Sequence, residues 1–318
     1  MTLLTINGLE LAHEGREAGL SGLDLALAQG ARMALVSERG AGAMALPALL
    51  RGEVATSKRV TSGEVLFESE EAGRQTPAKF ARRALRGLVS LPQDLAAGFD
   101  PARRIGPQMV RQIRSRCRLG ARDAERTSLN LLARYGIADA VRSFDRKVSG
   151  LSPAEVWRAG LAVELASEPL LIVAQAPFTG LDPVTEAGLW GLIRRHCLER
   201  STSLLLLTAE LSLAAELVEA AAVLYAGRVV EQGPLRSLVD DPRHPYTASL
   251  GAAMSDRRPT GAPLGEISGA APDPSAMPTG CAFHPRCEKA LAGCYLDRPD
   301  LETRDARQFA CFWPLGAT

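Results

Sequence analysis

The sequence predicts an α/β protein with a largely buried sheet, an inserted helical subdomain and a Cys-containing C-terminal extension. Three observations carry that reading. Short apolar β-type runs alternate with helical stretches from Leu3 to about Thr247, the pattern of strands packed under helices. A strand, a Gly-containing loop and a helix follow one another over Ala34–Leu46. Composition breaks near Arg257, and four of the six cysteines then fall between Cys281 and Cys311.

The elements follow in order. Leu3–Ile6 and Leu23–Ala28 read as early strands. Met33–Val36 is a buried strand ending in the loop Ser37–Gly42, and Ala43–Arg51 reads as a helix. From about Arg103 to Val141 the chain is rich in helix formers and basic residues, which places an inserted helical subdomain within about 103–168. Leu170–Ala174 and Ser203–Leu207 are further core strands, with a helix over Pro183–Arg200 between them. Ala222–Tyr225 and Arg228–Glu231 flank Ala226-Gly227, a tight turn between two strands. Residues 257–279 are dense in Pro, Gly and Ala and read as an extended linker between a domain over 1–256 and a Cys region over 280–318.

Composition sets bounds on function. Hydrophobic residues make up 46% and charged residues 23% of the 318, as in soluble globular proteins. A net charge of +1 gives no electrostatic argument for nucleic acid or an anionic membrane. Apolar runs such as Leu204–Leu207 and Leu170–Ala174 are far short of a bilayer span. Met1–Leu9 lacks the basic and long apolar segments of a signal peptide. The expectation is a cytosolic protein that meets a membrane only through a partner.

The order and spacing of further motifs point to one family. Gly40-Ala41-Gly42 sits in the loop after a strand, and Pro92-Gln93-Asp94 with Phe99-Asp100-Pro101 comes next. Leu151-Ser152 precedes Glu168-Pro169-Leu170-Leu171-Ile172-Val173-Ala174 by one helix. Thr179-Gly180-Leu181-Asp182, Tyr225-Ala226-Gly227-Arg228 and His244-Pro245-Tyr246-Thr247 complete the series. Over essentially the whole chain this resembles the ATP-binding subunit of the bacterial oligopeptide/dipeptide ABC importers. The resemblance implies an ABC-type P-loop nucleotide-binding domain. It also implies ATP and Mg²⁺ as ligands, a second ABC ATPase subunit, two transmembrane permease subunits and a solute-binding protein reached through the complex. The chain would lie in the cytoplasm, peripheral on the inner face of the cell membrane.

Against the family pattern the chemical groups are missing. The resemblance places nucleotide contacts on Ser37, Glu38, Arg39, Gly40, Ala41, Gly42, Ala43 and Met44, where backbone N–H groups cradle phosphate. Ser37 replaces the first Gly, Ala43 the phosphate-neutralising Lys, and Met44 the Mg²⁺-binding hydroxyl. Gln175 and Ala176 stand where the family has a metal-holding Asp and a water-activating Glu, and Ala209 where it has the γ-phosphate His. An amide is a poor hard-cation ligand, and a methyl accepts no proton. Arg39 is the nearby cation, able to contact an anion or to remain solvated. Gln93, Ser152 and Asp182 survive; the resemblance gives them roles at metal-bound water, at the opposing subunit's nucleotide and across the dimer. His13 lies near the adenine-stacking place.

The signature loop has drifted from Leu-Ser-Gly-Gly-Gln to Leu151-Ser152-Pro153-Ala154-Glu155. Pro153 deletes an N–H, and Ser152 with Glu155 fits a capping box with Pro at the first helical position. A helix start that bound phosphate becomes self-satisfied; the alternative is a tolerated variant that still docks ATP through Ser152.

Cys281, Cys287, Cys294 and Cys311 are spaced C-x5-C-x6-C-x16-C. In a reducing compartment such a cluster suggests a metal. The matching tail of the importer family carries a [4Fe–4S] cluster in some members. Zinc and unmetallated thiols remain open, although close Cys pairs typical of zinc are absent. Cys117 and Cys197 read as small apolar residues of helices.

Three functions remain on the page. One is a catalytically silent subunit paired with an active ATPase. Another is a working ATPase in which Arg39 and Glu210 substitute for lost groups. A third is a transport-independent binding protein that senses metal or redox state through its Cys tail.

Overall fold

The computed structural model describes residues 1–12, 19–38, 43, 45–50, 60–67, 87–176, 178, 180–252, 267–273 and 275–316. Most of the loop 39–44, His13, Pro177, Thr179 and the linker stretch 257–266 therefore lie outside the described residues.

In chain order the elements are β1 (Thr2–Leu11), β2 (Leu20–Ala28), β3 (Arg32–Ser37), α1 (Ala45–Leu50), β4 (Val60–Phe67) and β5 (Leu88–Ser90). The helices α2 (Ile105–Cys117), α3 (Ala121–Arg134), α4 (Ala140–Asp145) and α5 (Pro153–Glu164) follow. Then come β6 (Leu171–Gln175), α6 (Pro183–Arg200), β7 (Ser203–Thr208), α7 (Leu211–Leu217), β8 (Ala220–Tyr225) and β9 (Arg228–Pro234). The chain closes with α8 (Leu235–Asp240), α9 (Pro245–Ala252), α10 (Ala292–Leu296), β10 (Glu302–Arg304) and β11 (Arg307–Phe309). Two compact units result, Met1–Leu85 with Ser203–Thr318, and Arg86–Thr202.

In the first unit β1 pairs antiparallel with both β2 and β4. Along β2, Leu23, Leu25 and Leu27 are buried while Asp24, Ala26 and Ala28 are exposed, the alternation of a one-sided sheet. The other sheet run has the order β10, β11, β9, β8, β3, β7. β3 is parallel to β7 and to β8, and all three are unbroken apolar runs because both faces are covered. β8 turns into β9 through Ala226-Gly227, with φ of 50° and 80°, the two-residue turn that needs positive φ at both positions. A Cβ on Gly227 would meet the Gly19 carbonyl at 2.2 Å, so glycine is required by space as well as conformation.

Of the helix expected over Ala43–Arg51, Ala45–Leu50 is helical and Ala43 lies in a turn, while Met44 and Arg51 lie outside the described residues. Pro47 in its first turn is compatible with a helix start, where its missing N–H costs nothing. Strands β4, β5, β10 and β11 were not expected from sequence.

In the second unit β5 and β6 form a parallel pair, with Leu88 opposite Leu171 and Ser90 opposite Val173. Ile105, Met109 and Ile113 of α2 and Leu132 of α3 are fully buried. The spacings within α2 place its apolar residues on one helix face. Helix α6 has the expected bounds, opening on Asp182 and closing at Ser201 in the left-handed conformation.

Two buried histidines make stability depend on pH. In the second unit His196 takes the Tyr135 hydroxyl at 3.0 Å on Nδ1, and burial, then Arg134 and Arg200, pull its pKa from 6.5 to about 4. In the first unit burial pulls fully enclosed His244 to about 3. Both rings are neutral when folded but would bind a proton at about 6.5 once unfolded. The unfolded state then holds more protons, so stability is full above that value and falls as pH drops toward the folded values. His196 alone contributes on the order of 3 kcal/mol across its window. Glu231, whose carboxyl burial raises, opposes this trend. Urea midpoints are expected to fall from pH 7 to pH 5, with a smaller fall in His196→Gln; equal midpoints would refute the assignment.

Candidate functional site

In the first unit β3 delivers Ser37 and Glu38 at its C-terminal end. Parallel pairing of Val36 with Thr208 brings the end of β7, and so Ala209, to the same edge. Ser37 is buried, while Ala209 and Glu210 are exposed. The Glu210 N–H donates to the Thr208 hydroxyl at 3.0 Å, and Glu210 is the N-cap residue of α7 without a side-chain cap bond. Ala43 is 1% exposed, its methyl closed into the packed interior. Arg39, Gly40, Ala41, Gly42 and Met44 lie outside the described residues.

In the second unit β6 ends in half-buried Gln175 and buried Ala176. The neighbouring β5 ends at the same edge, where the Leu91 N–H donates to the Val173 carbonyl at 2.8 Å and the chain runs into Pro92-Gln93-Asp94. Gln93 is exposed. The Asp94 carboxylate accepts from the N–H groups of Ala96 and Ala97 at 2.9 and 3.1 Å, fixing the turn that follows. Beyond β6, Phe178 stacks on Trp190 at 4.6 Å and meets Trp157 edge-on at 5.4 Å. Glu186 accepts from the Phe178 N–H and the Trp190 indole N–H, which ties the segment after Ala176 to α6.

Ser152 and Asp182 both serve as helix caps. Ser152 Oγ accepts from the Glu155 N–H at 3.3 Å, and the Glu155 carboxylate accepts from the Ser152 N–H and hydroxyl at 2.8 Å each. This is the expected capping box with Pro153 at the first helical position. Burial pushes the Glu155 carboxyl up, but the Ser152 hydrogen bonds with Arg146 and Arg158 outweigh it and hold the pKa low. The Glu155 carboxylate thus caps the N-terminus of α5. Asp182 accepts from the Val184 and Thr185 N–H groups at 3.1 and 3.0 Å, and the bonds to Thr185 lower its pKa. Neither cap was needed to recognise these residues, yet Ser152-Pro153 and Asp182-Pro183 both show the signal of a cap followed by proline.

Chemically, the described positions supply neither a carboxylate at 175 or 176 nor a cation at 43. Gln175 offers an amide, a weaker ligand for a hard divalent cation than a carboxylate, and the Ala176 methyl offers none.

The C-terminal region builds a second centre. Cys281, Cys287, Cys294 and Cys311 line one cavity with Phe283 and Trp313 among its walls. The Cys281 N–H donates to the Cys294 carbonyl at 2.9 Å, joining the two halves of the module. Burial, then the neighbouring thiols, raises Cys311 to about 11, and burial also raises Cys281 and Cys287. A cation bound among them would remove that penalty. Among the described residues no group of three or more His, Cys, Asp or Glu is arranged to hold a metal ion. His284 is turned to the Cys281 carbonyl at 2.9 Å and packs at a tilt against the Tyr295 ring.

Sequence reasoning missed how this module meets the rest of its unit. Fully buried Glu231 on β9 accepts the Arg243 and His244 N–H groups at 2.8 Å each, anchoring the start of α9. Phe283 packs edge-on to Tyr225 and against Tyr246. Arg286 pairs with Glu38. The Tyr225-Ala226-Gly227-Arg228 and His244-Pro245-Tyr246-Thr247 motifs held the signal, since their aromatic residues are the ones in contact.

Among the described residues no helix is long and apolar enough to cross a membrane. A family model described as the oligopeptide/dipeptide transporter C-terminal region matches residues 230–294. A Brucella abortus protein named for peptide import and ATP binding is 32% identical over 91% of this chain and 87% of its own length. The peptide transport system ATP-binding protein SapD of Salmonella typhimurium is 29% identical over 99% of this chain and 98% of its own. In structure the chain is similar to cbiO1 from Clostridium perfringens, part of the cbiONQ ABC transporter complex, with TM-score 0.62 and 21% identity over 76% of this chain and 91% of that one. MJ1267, an ATP-binding cassette of an ABC transporter, matches with TM-score 0.59 and 16% identity over 76% of this chain and 96% of that one. The fold is that of the ABC ATP-binding cassette, an α/β P-loop domain, and the chain belongs to the ATP-binding subunits of peptide ABC importers.

Proposed function

We propose that this chain is a catalytically silent nucleotide-binding subunit of an ABC importer for peptides or similar small solutes. It pairs with an active homologous ATPase, docks on two permease subunits at the cytoplasmic face of the membrane, and meets a solute-binding protein only through the complex. The observation that carries this is the joint replacement at Ala43, Met44, Gln175, Ala176 and Ala209 inside a retained family sequence. One loss can be compensated; five remove the cation, the metal ligands, the base and the γ-phosphate sensor together. The buried methyls of Ala43 and Ala176 and the closed capping box at Ser152 support the same reading. Retained Gln93 and Asp182 fit a part that still docks and passes on motion. A substituted active site built on Glu210 is disfavoured, because that residue follows β7 rather than β6 and is exposed.

The spacing of the four tail cysteines and their shared cavity support a [4Fe–4S] cluster as a proposal, one that when bound would supply an electron-storing or structural tie. The protein's own part is to bury the thiols around one cavity and to hold Cys281 to Cys294 through the backbone.

Titration with a fluorescent ATP analogue, with and without Mg²⁺, tests the reading. Binding is expected to be weak and unchanged by the metal. A tenfold or greater tightening on adding Mg²⁺ would overturn it.

A further inference from the structure

Arg286 lies in the Cys module, in the short turn His284–Arg286 immediately before Cys287. Its side chain is 6% exposed. Nη1 donates to Glu38 Oε2 at 2.8 Å and Nη2 to Glu38 Oε1 at 3.2 Å, a two-pronged guanidinium–carboxylate pair. The remaining donors are also used. Nε reaches the Ser268 carbonyl at 2.9 Å, Nη2 the Ile267 carbonyl at 3.1 Å, and Nη1 the Tyr225 hydroxyl at 3.4 Å. Glu38 is the first residue after β3, where the phosphate-binding loop begins. It is held from its backbone side as well, since its N–H donates to the Tyr246 hydroxyl at 3.2 Å. Phe283, three residues before Arg286, wedges among Tyr225, Tyr246 and His244 with ring centroids 5.0 to 5.8 Å apart.

From this geometry we infer that Arg286 is a positioning residue through which the Cys module latches the start of the phosphate-binding loop. An exposed ion pair would add little, but here the guanidinium is buried, forked and fully partnered while Glu38 is 26% exposed, and breaking the pair leaves the buried Arg286 charge uncompensated. Without Arg286, the Glu38 carboxylate would stand unneutralised at the end of β3, where the loop begins. Loss of order among the cysteines therefore reaches the nucleotide loop through Arg286, and disorder at Glu38 reaches the turn beside Cys287, because an energetic coupling works in both directions. The latch does not depend on whether the chain hydrolyses ATP.

Hydrogen exchange on the full-length chain tests this by changing one end and reading the other. In Arg286→Gln, amides over Leu35–Glu38 are expected to exchange roughly tenfold faster, as for a lost charged hydrogen bond. In Glu38→Ala, the acceleration should fall on His284–Cys287. The double variant should add little beyond either single one, and Arg286→Lys should recover part of the protection because it keeps the charge but not the fork. Far-UV circular dichroism establishes that each variant is folded. Exchange that rises only in the mutated segment, or equally throughout the chain, would overturn the coupling.

Discussion

Incubated alone with ATP and Mg²⁺, the purified chain is expected to release phosphate no faster than a buffer blank. The rate should lie at least ~10³-fold below that of an intact relative. Removing one well-placed stabilising group from an active site can cost that much, and groups that act as a unit fail together rather than additively. Here Ala43 has no charge to offer, Gln175 no carboxylate, Ala176 no base and Ala209 no imidazole. Restoring one position, as in Ala176→Glu, should therefore leave turnover at background. Turnover within tenfold of an intact relative would show that other residues do the chemistry.

Gly280→Ala is expected to disrupt the Cys module, costing at least about 2 kcal/mol through strained backbone alone. Gly280 has φ of 69°, and a Cβ there would lie 2.4 Å from the Cys294 carbonyl oxygen and 2.8 Å from the Tyr295 carbonyl carbon. Both obstacles are backbone, so neither can rotate away. Gly293→Ala is the matched control: it lies in α10 with nothing within 4 Å of its added Cβ, and alanine suits a helix better. Melting temperature should fall in Gly280→Ala and hold in Gly293→Ala. Equal behaviour of the two would remove the steric argument and the link between this turn and the cysteine cavity.

Much of the scaffold was legible because its signals are local. The bounds of α6, the positive-φ turn at Ala226-Gly227 and the Ser152–Glu155 box each depend on neighbours within a few residues. The strands β3, β7 and β8 stood out as apolar runs for the same reason. β4 did not: Val60–Phe67 contains a glycine and is buried on neither face, so it lacks the alternation that marks a strand. β5 has three residues, too few for any pattern. The four tail cysteines stood out as a group from spacing, and they line one cavity. The attachment of their region through Arg286 could not be seen, because Glu38 sits at the other end of the chain and a lone arginine gives no hint of its partner. At the nucleotide loop the sequence supplies the identities, whereas Arg39, Gly40, Ala41, Gly42 and Met44 fall outside the described residues.

The placement of β3 has a cost during synthesis. It leaves the ribosome early, yet its parallel partners β7 and β8 begin only at Ser203 and Ala220. At ordinary elongation rates an unpaired Met33–Val36 segment would wait on the order of ten seconds before the central sheet could close. β1 and β2 can zip together at once, so the nascent chain carries a finished hairpin beside an open, apolar strand. That interval is when chaperone binding or aggregation would compete with folding, and slower translation downstream of β3 would lengthen it.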